Sequence, residues 1–401
     1  MRILYLANIR FPLERANGIQ TFATCHALAT RGHRVRLLVR PDTHRPARDP
    51  LAFYGYSPTP ELEIATVAGP PGGVVGRLRY LAGAAREVLL GDRVDVVLTR
   101  DLGVASLLVQ VPAARRPPLV YESHGFAPRV SEAMPDLLDG GRAASPAKLG
   151  RLRRRERRVW RRADAYVTIT AALADELVGL FGPRARLTTI PDGCTLDPTR
   201  RFAPLRHRDA PVVGYAGHLY PWKGVSVLLN ALASLPHAQG MIIGGHPGER
   251  DLERTRAEAE RLGLGARVTM TGLLNPGEVA DRLADADILV LPNTETTLSV
   301  RYTSPLKLFE YMAAGKPIVA SRLASLEEVL EHERSALLVP PGDPAALAAA
   351  IETLTRRPGL ADRLARCAFE RAVDYSWDRR AARLEALLDD LVDHRPARGT
   401  T

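Results

Sequence analysis

Lysine is rare in this sequence, and its few positions point to segments that could bind an anion. Only four of the 55 basic residues are lysines: Lys148, Lys223, Lys307 and Lys316. A lysine ammonium is a compact point charge that fits beside a phosphate, whereas arginine is the usual cation of this chain. Lys223 is followed by Gly224 in GYAGHLYPWKG, and a glycine permits close backbone approach. This pair suits a diphosphate, although many helices begin near a lysine without binding an anion.

The segment TSPLKLFEYMAAGKPIVAS, residues 303–321, combines a helix start with a carboxylate. Ser304 precedes Pro305, and a capping side chain before a proline predicts that a helix begins there. The first-turn amides, among them that of Leu306, would lack intrahelical acceptors and could bind a phosphate at the positive end of the helix dipole. Glu310 follows about a turn and a half later, within reach of ribose hydroxyls. The alternative is an ordinary amphipathic helix with an exposed glutamate.

Short apolar, β-branched runs alternate with helical patterns along the whole chain. The runs are RILYLAN, VRLLV, LEIATVA, VDVVLTR, PLVYESH, AYVTIT and RLTTIPDG in the first half, and PVVGYAG, GMIIGG, RVTMTG, DILVLPN, KPIVAS and SALLVP in the second. Such alternation predicts βαβ units and parallel sheets, here as two doubly wound α/β domains. Asn275-Pro276 and Asp343-Pro344 predict further helix starts. Ligands of open parallel sheets bind beyond the carboxyl ends of the strands, so the loops after strands are expected to carry the site.

The composition is that of a globular protein of two domains, with 401 residues, 46% hydrophobic and 25% charged. A polar stretch between Asp192 and Pro211 predicts the boundary. No stretch has the ~20 apolar residues of a membrane span, and the apolar run in MRILYLANIRF is too short for a signal peptide. We therefore expect a cytoplasmic protein. The cysteines are far apart and lack metal-site spacing; they are Cys25, Cys194 and Cys367.

The net charge of +10 is concentrated in one segment. Residues 151–162, RLRRRERRVWRR, contain eight arginines and one glutamate, which leaves little excess charge elsewhere. This distribution argues against a basic face that binds nucleic acid. We interpret the segment as a helix with one solvated face that leads into AYVTIT. A weak peripheral contact with an anionic membrane and a contact with a protein partner are the alternatives, and the oligomeric state is left open.

Together the motifs resemble those of the retaining glycosyltransferases of family 4, which have the GT-B fold, over nearly the full length. The matching segments are ANGIQTF, YESHGF, IPDGCTLDPTRRF, AGHLYPWKG, IIGGHPGE, MTGLLNPGEVADRLADADILVLPN and VDYSWDRRAARLEALL. The resemblance implies two Rossmann-like domains that face each other across a cleft. We expect an acceptor-binding domain at 1–195, a linker at 196–210 and a nucleotide-sugar-binding domain at 211–374. The terminal helix, residues 375–393, is expected to pack back on the first domain.

The resemblance also implies roles for individual residues. Lys223 would contact the donor diphosphate and Glu310 the ribose. His124 would lie over the donor sugar, bond a hydroxyl and stabilise charge near the anomeric centre, so that His124 and Lys223 are the expected catalytic residues. Gly18 would allow the loop after the first strand to approach a phosphate. The expected diphosphate-binding residues are Gly18, His218, Lys223, Ser304, Pro305 and Leu306. The alternative for His124 is a histidine at a strand end that only bonds a loop carbonyl.

The donor segments depart from the family pattern at two positions. The family usually has arginine where AGHLYPWKG has His218, and histidine is not always charged. We expect cationic His218 to bind a diphosphate more tightly, so that donor affinity depends on pH; Arg301 could supply the charge instead. Eight positions before Glu310 stands Tyr302, because SPLKLFEYMA replaces the usual two-glutamate motif. The missing glutamate touches the transferred sugar in relatives, so the identity of the sugar is left open.

The implied reaction moves a sugar, expected to be a hexose, from a nucleoside diphosphate to an acceptor hydroxyl with retention at the anomeric carbon. The enzyme would act by positioning and by stabilising charge on the leaving diphosphate. No metal or other cofactor is expected, since no acidic pair of the DxD kind stands at a suitable strand end. Two alternatives are a sugar-nucleotide epimerase and a non-catalytic subunit that binds nucleotide sugar for a partner transferase.

Overall fold

The structure is a computed structural model that divides into two compact units. It describes residues 1–70, 72–137, 143–197, 199–203, 208, 210–246, 248 and 250–394. The first unit comprises Met1–Ser131, Ala144–Asp192 and the chain from Trp377 onward, and the second comprises Glu132–Ala143 and Gly193–Ser376. Parts of the expected linker (198, 204–207 and 209) and of IIGGHPGE (247 and 249) lie outside the described residues.

The first unit contains a seven-stranded parallel sheet. Its strands are β1 (Arg2–Arg10), β2 (Arg34–Arg40), β3 (Leu62–Thr66), β4 (Val96–Thr99), β5 (Leu119–Ser123), β6 (Ala165–Thr168) and β7 (Leu187–Thr189). They are ordered β3-β2-β1-β4-β5-β6-β7 across the sheet. The direction of winding therefore reverses between β1 and β4, which makes this position the topological switch point of the sheet.

The second unit contains a six-stranded parallel sheet of the same kind. Its strands are β8 (Val212–Ala216), β9 (Gln239–Ile243), β10 (Val268–Met270), β11 (Ile288–Leu291), β12 (Ile318–Ser321) and β13 (Leu337–Val339). The order β10-β9-β8-β11-β12-β13 places the switch point between β8 and β11, which pair in parallel. Every apolar run identified in the sequence forms a strand, so the prediction of two doubly wound α/β domains is confirmed.

Helices connect the strands in both units. They are α1 (Ala16–Thr30), α2 (Pro50–Tyr54), α3 (Gly73–Leu90), α4 (Leu102–Leu108), α5 (Ala127–Leu137), α6 (Pro146–Arg162), α7 (Ala171–Phe181), α8 (Val225–Ala233), α9 (Arg250–Arg261), α10 (Pro276–Asp285), α11 (Thr297–Arg301), α12 (Leu306–Ala314), α13 (Ala324–Glu327), α14 (Pro344–Arg356), α15 (Pro358–Arg371) and α16 (Trp377–Asp393). Helix α16 belongs to the first unit, where it packs against α1.

Local sequence explains why these elements form. All residues of β4, β6 and β11 are buried, as expected for parallel strands covered on both faces. The predicted helix start at Asp343 is confirmed, since its side chain accepts the Ala346 N–H at 2.9 Å. Asn275 likewise begins α10 with a capping box that includes Glu278.

The basic segment forms most of α6, and all eight of its arginines are exposed. Glu156, Val159 and Trp160 are buried on the other side of the helix. The predicted solvated face is therefore confirmed, whereas a contact with an anionic membrane stays a prediction. Within the described ranges, no helix is both long enough and apolar enough to cross a membrane.

Candidate active site

The loop after β8 holds Lys223 at the switch point of the second sheet. Lys223 ends a short 3-10 turn, Pro221–Lys223, directly before α8. Thr294, in the loop after β11, donates its backbone N–H to the carbonyl of Trp222 at 3.1 Å. Nζ of Lys223 lies 3.6 Å from the centroid of the Trp222 ring. The loops after two neighbouring strands are thus joined beside this ammonium group.

Helix α12 begins one residue later than its sequence predicts. Its N-cap is Pro305, with an extended ψ of 119°, so the prediction that Ser304 is the capping residue is wrong. The hydroxyl of Thr303 donates to the carbonyl of Leu298 at 2.7 Å, which ties this segment to α11 and holds it outside the helix. The first-turn amides, including that of Leu306, still have no intrahelical acceptor.

Lys307, in the first turn of α12, reaches across to β8. Its Nζ donates to the hydroxyl of Tyr215 at 2.9 Å, and this hydroxyl donates to the carbonyl of His218 at 2.6 Å. Gly217 leaves room for the contact, because a Cβ there would lie 2.6 Å from Nζ of Lys307. These contacts connect the start of α12 with the loop that carries His218 and Lys223.

Lys223, Lys307 and Glu310 form a group of charged side chains that we call the donor cluster. Burial lowers the pKa of Lys223 well below its usual value, and the charge of Lys307 lowers it further. Burial also lowers the pKa of Lys307 to about 7, although Glu310 opposes this shift. Burial raises the pKa of Glu310, and Lys307 opposes the rise. Among the described residues, neither Lys223 nor Glu310 has a side-chain hydrogen bond or ion pair.

The residues at the two departures from the family pattern lie near this cluster in the chain. The His218 ring stacks on that of Tyr220, with the centroids 5.0 Å apart. Tyr302 is buried and caps the C-terminus of α11, whereas Arg301 is exposed. The expected effects of His218 and Arg301 on donor binding stay predictions.

His124 follows β5 in the first unit and belongs to a buried polar network. Its Nε2 lies 2.5 Å from Oε1 of Glu122. Glu122 also accepts from Gln20 at 2.6 Å and from Arg380 at 2.6 Å. We call these four residues the His124 network. The partner of His124 is therefore a carboxylate and not the loop carbonyl considered as the alternative.

The network has a defined charge state near neutral pH. Burial would raise the pKa of Glu122, but Arg380 and His124 hold it at about 2. Burial lowers the pKa of His124, and Arg100 lowers it further, although Glu122 opposes the shift. An ionised carboxylate thus faces a neutral imidazole, whose Nε2–H must be the donor because the carboxylate can only accept.

Three side chains in the first unit are close enough to share a metal ion. Glu122, His124 and Asp192 each have a donor atom within 4.8 Å of the others. Both oxygens of Glu122 already accept hydrogen bonds, one of them from the Arg380 guanidinium. A second cation beside that guanidinium is unfavourable. We therefore interpret Glu122 and His124 as members of a hydrogen-bond network, and the expectation that no metal is required stays a prediction.

Gly18 lies in the first turn of α1, so the prediction that it belongs to a loop is wrong. Its N–H donates to the carbonyl of Arg15 at 2.8 Å. A Cβ at this position would lie 2.2 Å from the carbonyl oxygen of Leu13 and 2.6 Å from the hydroxyl of Tyr54. Close packing accounts for the glycine without a ligand, and its proposed contact with a phosphate stays a prediction.

Sequence reasoning missed three residues that shape these two groups, namely Tyr215, Glu122 and Arg380. A usable signal existed for Glu122, since it stands two residues before His124, and alternate residues of a strand share one face of a sheet. No local pattern indicates Arg380, because 258 residues separate it from Glu122.

Comparison with protein families identifies two matching segments. Residues 210–357 match the family described as "Glycosyl transferases group 1", and residues 18–193 match the "Glycosyl transferase 4-like domain". A D-inositol 3-phosphate glycosyltransferase of Xylanimonas cellulosilytica is 31% identical over 70% of this chain and 68% of its own length. A glycogen synthase of Mycobacterium tuberculosis is 32% identical over 54% of this chain and 52% of its own length.

Solved structures share the fold over almost the whole chain. Sucrose-phosphate synthase from Thermosynechococcus elongatus superposes with a TM-score of 0.78 at 22% identity. The match covers 98% of this chain and 100% of the synthase chain. HepE from Anabaena, crystallised with UDP-glucose, has a TM-score of 0.70 at 21% identity and covers 97% of this chain and 100% of its own. At these identities the likeness concerns the fold alone.

Proposed function

Because this chain belongs to family 4 of the glycosyltransferases and has the GT-B fold, we propose that it transfers a sugar from a nucleoside diphosphate to an acceptor hydroxyl with retention. Glycosyl transfer follows from the family. The donor class and the stereochemistry are the proposal. The observation that supports it is the donor cluster, in which two lysines lie beside Glu310 at the β8–β11 switch point without an acidic ion-pair partner among the described residues.

A bound diphosphate would balance the positive charges of the two lysines in the donor cluster. Lys223 and Lys307 are half-buried and destabilise each other's charge, so an anion between them favours the protonated form of both. The first-turn amides of α12 add neutral donors and a favourable dipole at the same end of the sheet. Glu310 lies about one turn further along the helix, where its carboxylate can accept bonds from ribose hydroxyls. A nucleoside diphosphate carries a diphosphate for the lysines and, next to it, a ribose for Glu310.

The same residues would assist the chemistry as the glycosidic bond breaks. Negative charge grows on the leaving diphosphate, and preorganised cations and amides stabilise it more strongly than the ground state. His124 would accept a hydrogen bond from the sugar near the anomeric carbon. No protein nucleophile is needed if the leaving diphosphate receives the acceptor proton on the same face. We propose that the reaction requires no metal ion.

A panel of nucleotide sugars tests the proposed function. Purified protein is incubated with UDP-glucose, GDP-mannose and related donors, first alone and then with acceptors such as D-inositol 3-phosphate, and nucleotide release is measured. We expect slow release without acceptor and faster release with one, and an NMR spectrum of the product that retains the donor's anomeric configuration. An isomerised sugar would indicate an epimerase instead, and binding without release or isomerisation would indicate a non-catalytic subunit.

Donor affinity is expected to fall as the pH rises from 7 to 9. Lys307 has a pKa of about 7 in the free protein, so it loses its proton in this range, and a bound diphosphate requires the proton back. Affinity should therefore decrease by up to about tenfold per pH unit for each lysine that must take up a proton. A nucleotide sugar is the appropriate probe because its diphosphate diester does not itself titrate here. Calorimetry at several pH values measures the effect.

His218→Ala separates the two sources of such a pH dependence. If the lysines are responsible, the variant retains the decrease between pH 7 and 9. If His218 is responsible, the decrease is lost in the variant. An affinity that is constant across this range in the wild-type protein would contradict both explanations.

A further inference from the structure

Arg380, on helix α16, has a buried guanidinium group that joins three other segments of the first unit; the residue is 2% exposed. Nη1 donates to the carbonyls of Ile190 and Pro191 at 2.8 and 2.6 Å. Nε donates to the hydroxyl of Thr24 at 3.3 Å, and Nη2 donates to Oε2 of Glu122 at 2.6 Å. The last of these bonds reaches the carboxylate that holds the candidate catalytic histidine.

The Glu122 carboxylate decides which nitrogen of the His124 ring carries the proton. Because Glu122 accepts from Nε2, the neutral ring has its proton on Nε2, and Nδ1 is an acceptor. Within the described part of the chain, Nδ1 has no hydrogen-bond partner. An acceptor lone pair stabilises positive charge at an anomeric carbon, whereas an N–H group at the same place would oppose it. The tautomer therefore matters for the proposed chemistry.

We propose that Arg380 is a positioning residue for glycosyl transfer: by holding the Glu122 carboxylate, it keeps the His124 ring in the tautomer with the proton on Nε2 and an acceptor lone pair on Nδ1. The inference rests on the proposed function. Gln20 supports the arrangement, since it donates to Oε1 of Glu122 at 2.6 Å and accepts from Arg100 at 2.7 Å.

Loss of Arg380 would remove the control of this tautomer. Burial favours a neutral Glu122, and the charge of Arg380 is the largest effect that opposes this and lowers its pKa. A protonated Glu122 can donate to Nε2 of His124, which moves the ring proton to Nδ1. Nδ1 of His124 would then become a donor instead of an acceptor.

A second arginine at the same pair of helices provides a matched control. Arg31, at the end of α1, forms ion pairs with Glu385 at 2.6 Å and with Asp378 at 2.9 Å, both on α16. It takes no part in the His124 network. Arg31→Gln therefore weakens the contact between α1 and α16 but leaves Glu122 and its partners in place.

Kinetics of Arg380→Gln and Arg31→Gln test the inference, because both variants remove the charge of one arginine. We expect Arg380→Gln to lower kcat by about 10- to 100-fold with little change in the KM of the nucleotide sugar, as for residues that orient a histidine by hydrogen bonding. Arg31→Gln should alter thermal stability only. In a His124→Ala background, Arg380→Gln should have almost no further effect on kcat, because the two residues act as one unit. Equal losses of kcat in both arginine variants, or additive losses with His124→Ala, would overturn the inference.

Nitrogen NMR of the full chain tests it without any substrate, so that it can be separated from the proposed function. With ¹⁵N-labelled histidine and His124→Ala to assign the signals, the wild-type protein should show a protonated Nε2 and an unprotonated Nδ1. Arg380→Gln and Glu122→Gln should shift the population toward protonated Nδ1, whereas Arg31→Gln should not. An unchanged tautomer in Arg380→Gln would overturn the inference even if the wild-type protein is an active transferase. If no donor is turned over but the tautomer shifts, the proposed function fails while the control of the His124 tautomer by Arg380 through Glu122 is upheld.

Discussion

Replacing Lys223 by alanine is expected to lower kcat/KM for the nucleotide-sugar donor by about 100- to 1000-fold. Lys223 is desolvated, and no carboxylate among the described residues forms an ion pair with it, so its charge is available to a phosphate oxygen. Charge on the leaving diphosphate increases in the transition state, so the loss should appear in kcat as well as in KM. Steady-state kinetics with the donor identified by the nucleotide-sugar panel measure both constants.

Two controls show whether this loss reflects the site itself. Lys148→Ala removes an exposed lysine of the first unit and should leave kcat/KM unchanged. Lys223→Ala should also melt at the wild-type temperature or above it, because the variant no longer buries a cation that is repelled by Lys307. An activity loss accompanied by a lower melting temperature would mean that Lys223 is structural, and an unchanged kcat/KM would exclude it from the donor site.

Replacing Gly224 by alanine is expected to destabilise the second unit by about 2–5 kcal/mol, the sum of left-handed strain and overpacking. Gly224 has a φ of 74° at the N-cap of α8. A Cβ there would lie 1.7 Å from the carbonyl oxygen of Pro292, in the loop after β11. Because neither atom belongs to a flexible side chain, the backbone has to move, and Lys223 moves with it. Calorimetric unfolding measures the stability, and donor titration measures the displacement of Lys223.

Gly272→Ala is the matched control for Gly224→Ala. Gly272 lies in the same unit with a φ of 73°, but an added Cβ would meet no atom within 4 Å. This variant has the left-handed strain without the clash and should be destabilised by only about 1 kcal/mol. Equal destabilisation of the two variants would mean that the contact with Pro292 does not hold the Lys223 loop in place.

Much of the fold was predictable because local sequence carries it. The strands of parallel sheets are buried on both faces, so each appears as a short apolar run regardless of its neighbours. The N-caps of α10 and α14 were predictable for a similar reason. Each depends only on a hydrogen bond between the capping side chain and the backbone N–H three residues later. The start of α12 was not predicted correctly: Pro305 is extended, and the hydroxyl of the nearby Thr303 bonds back to the carbonyl of Leu298 in the preceding helix α11.

The candidate site was predictable only in part. Lys223 and Glu310 could be selected from residue type and from their places after strands. The link between Lys307 and Tyr215 could not, because 92 residues separate them and only the packing of α12 beside β8 brings them together. The role of a glycine could not be read from the sequence for a related reason. Gly18 was predicted to allow close approach of a phosphate, but the atoms around it show that close packing already requires a glycine there.

By itself, the sequence determined the strands, two of the three predicted helix starts and the residue types that can bind a diphosphate, since periodicity, capping and charge act over a few neighbouring positions. Only the tertiary structure decided which charges face one another. It placed two half-buried lysines together without an acidic ion-pair partner in the described part of the chain, and it set Arg380 on the carboxylate that orients His124. Distances between residues remote in the chain depend on the packing of a whole unit, and so do desolvation and the pKa shifts that follow from it.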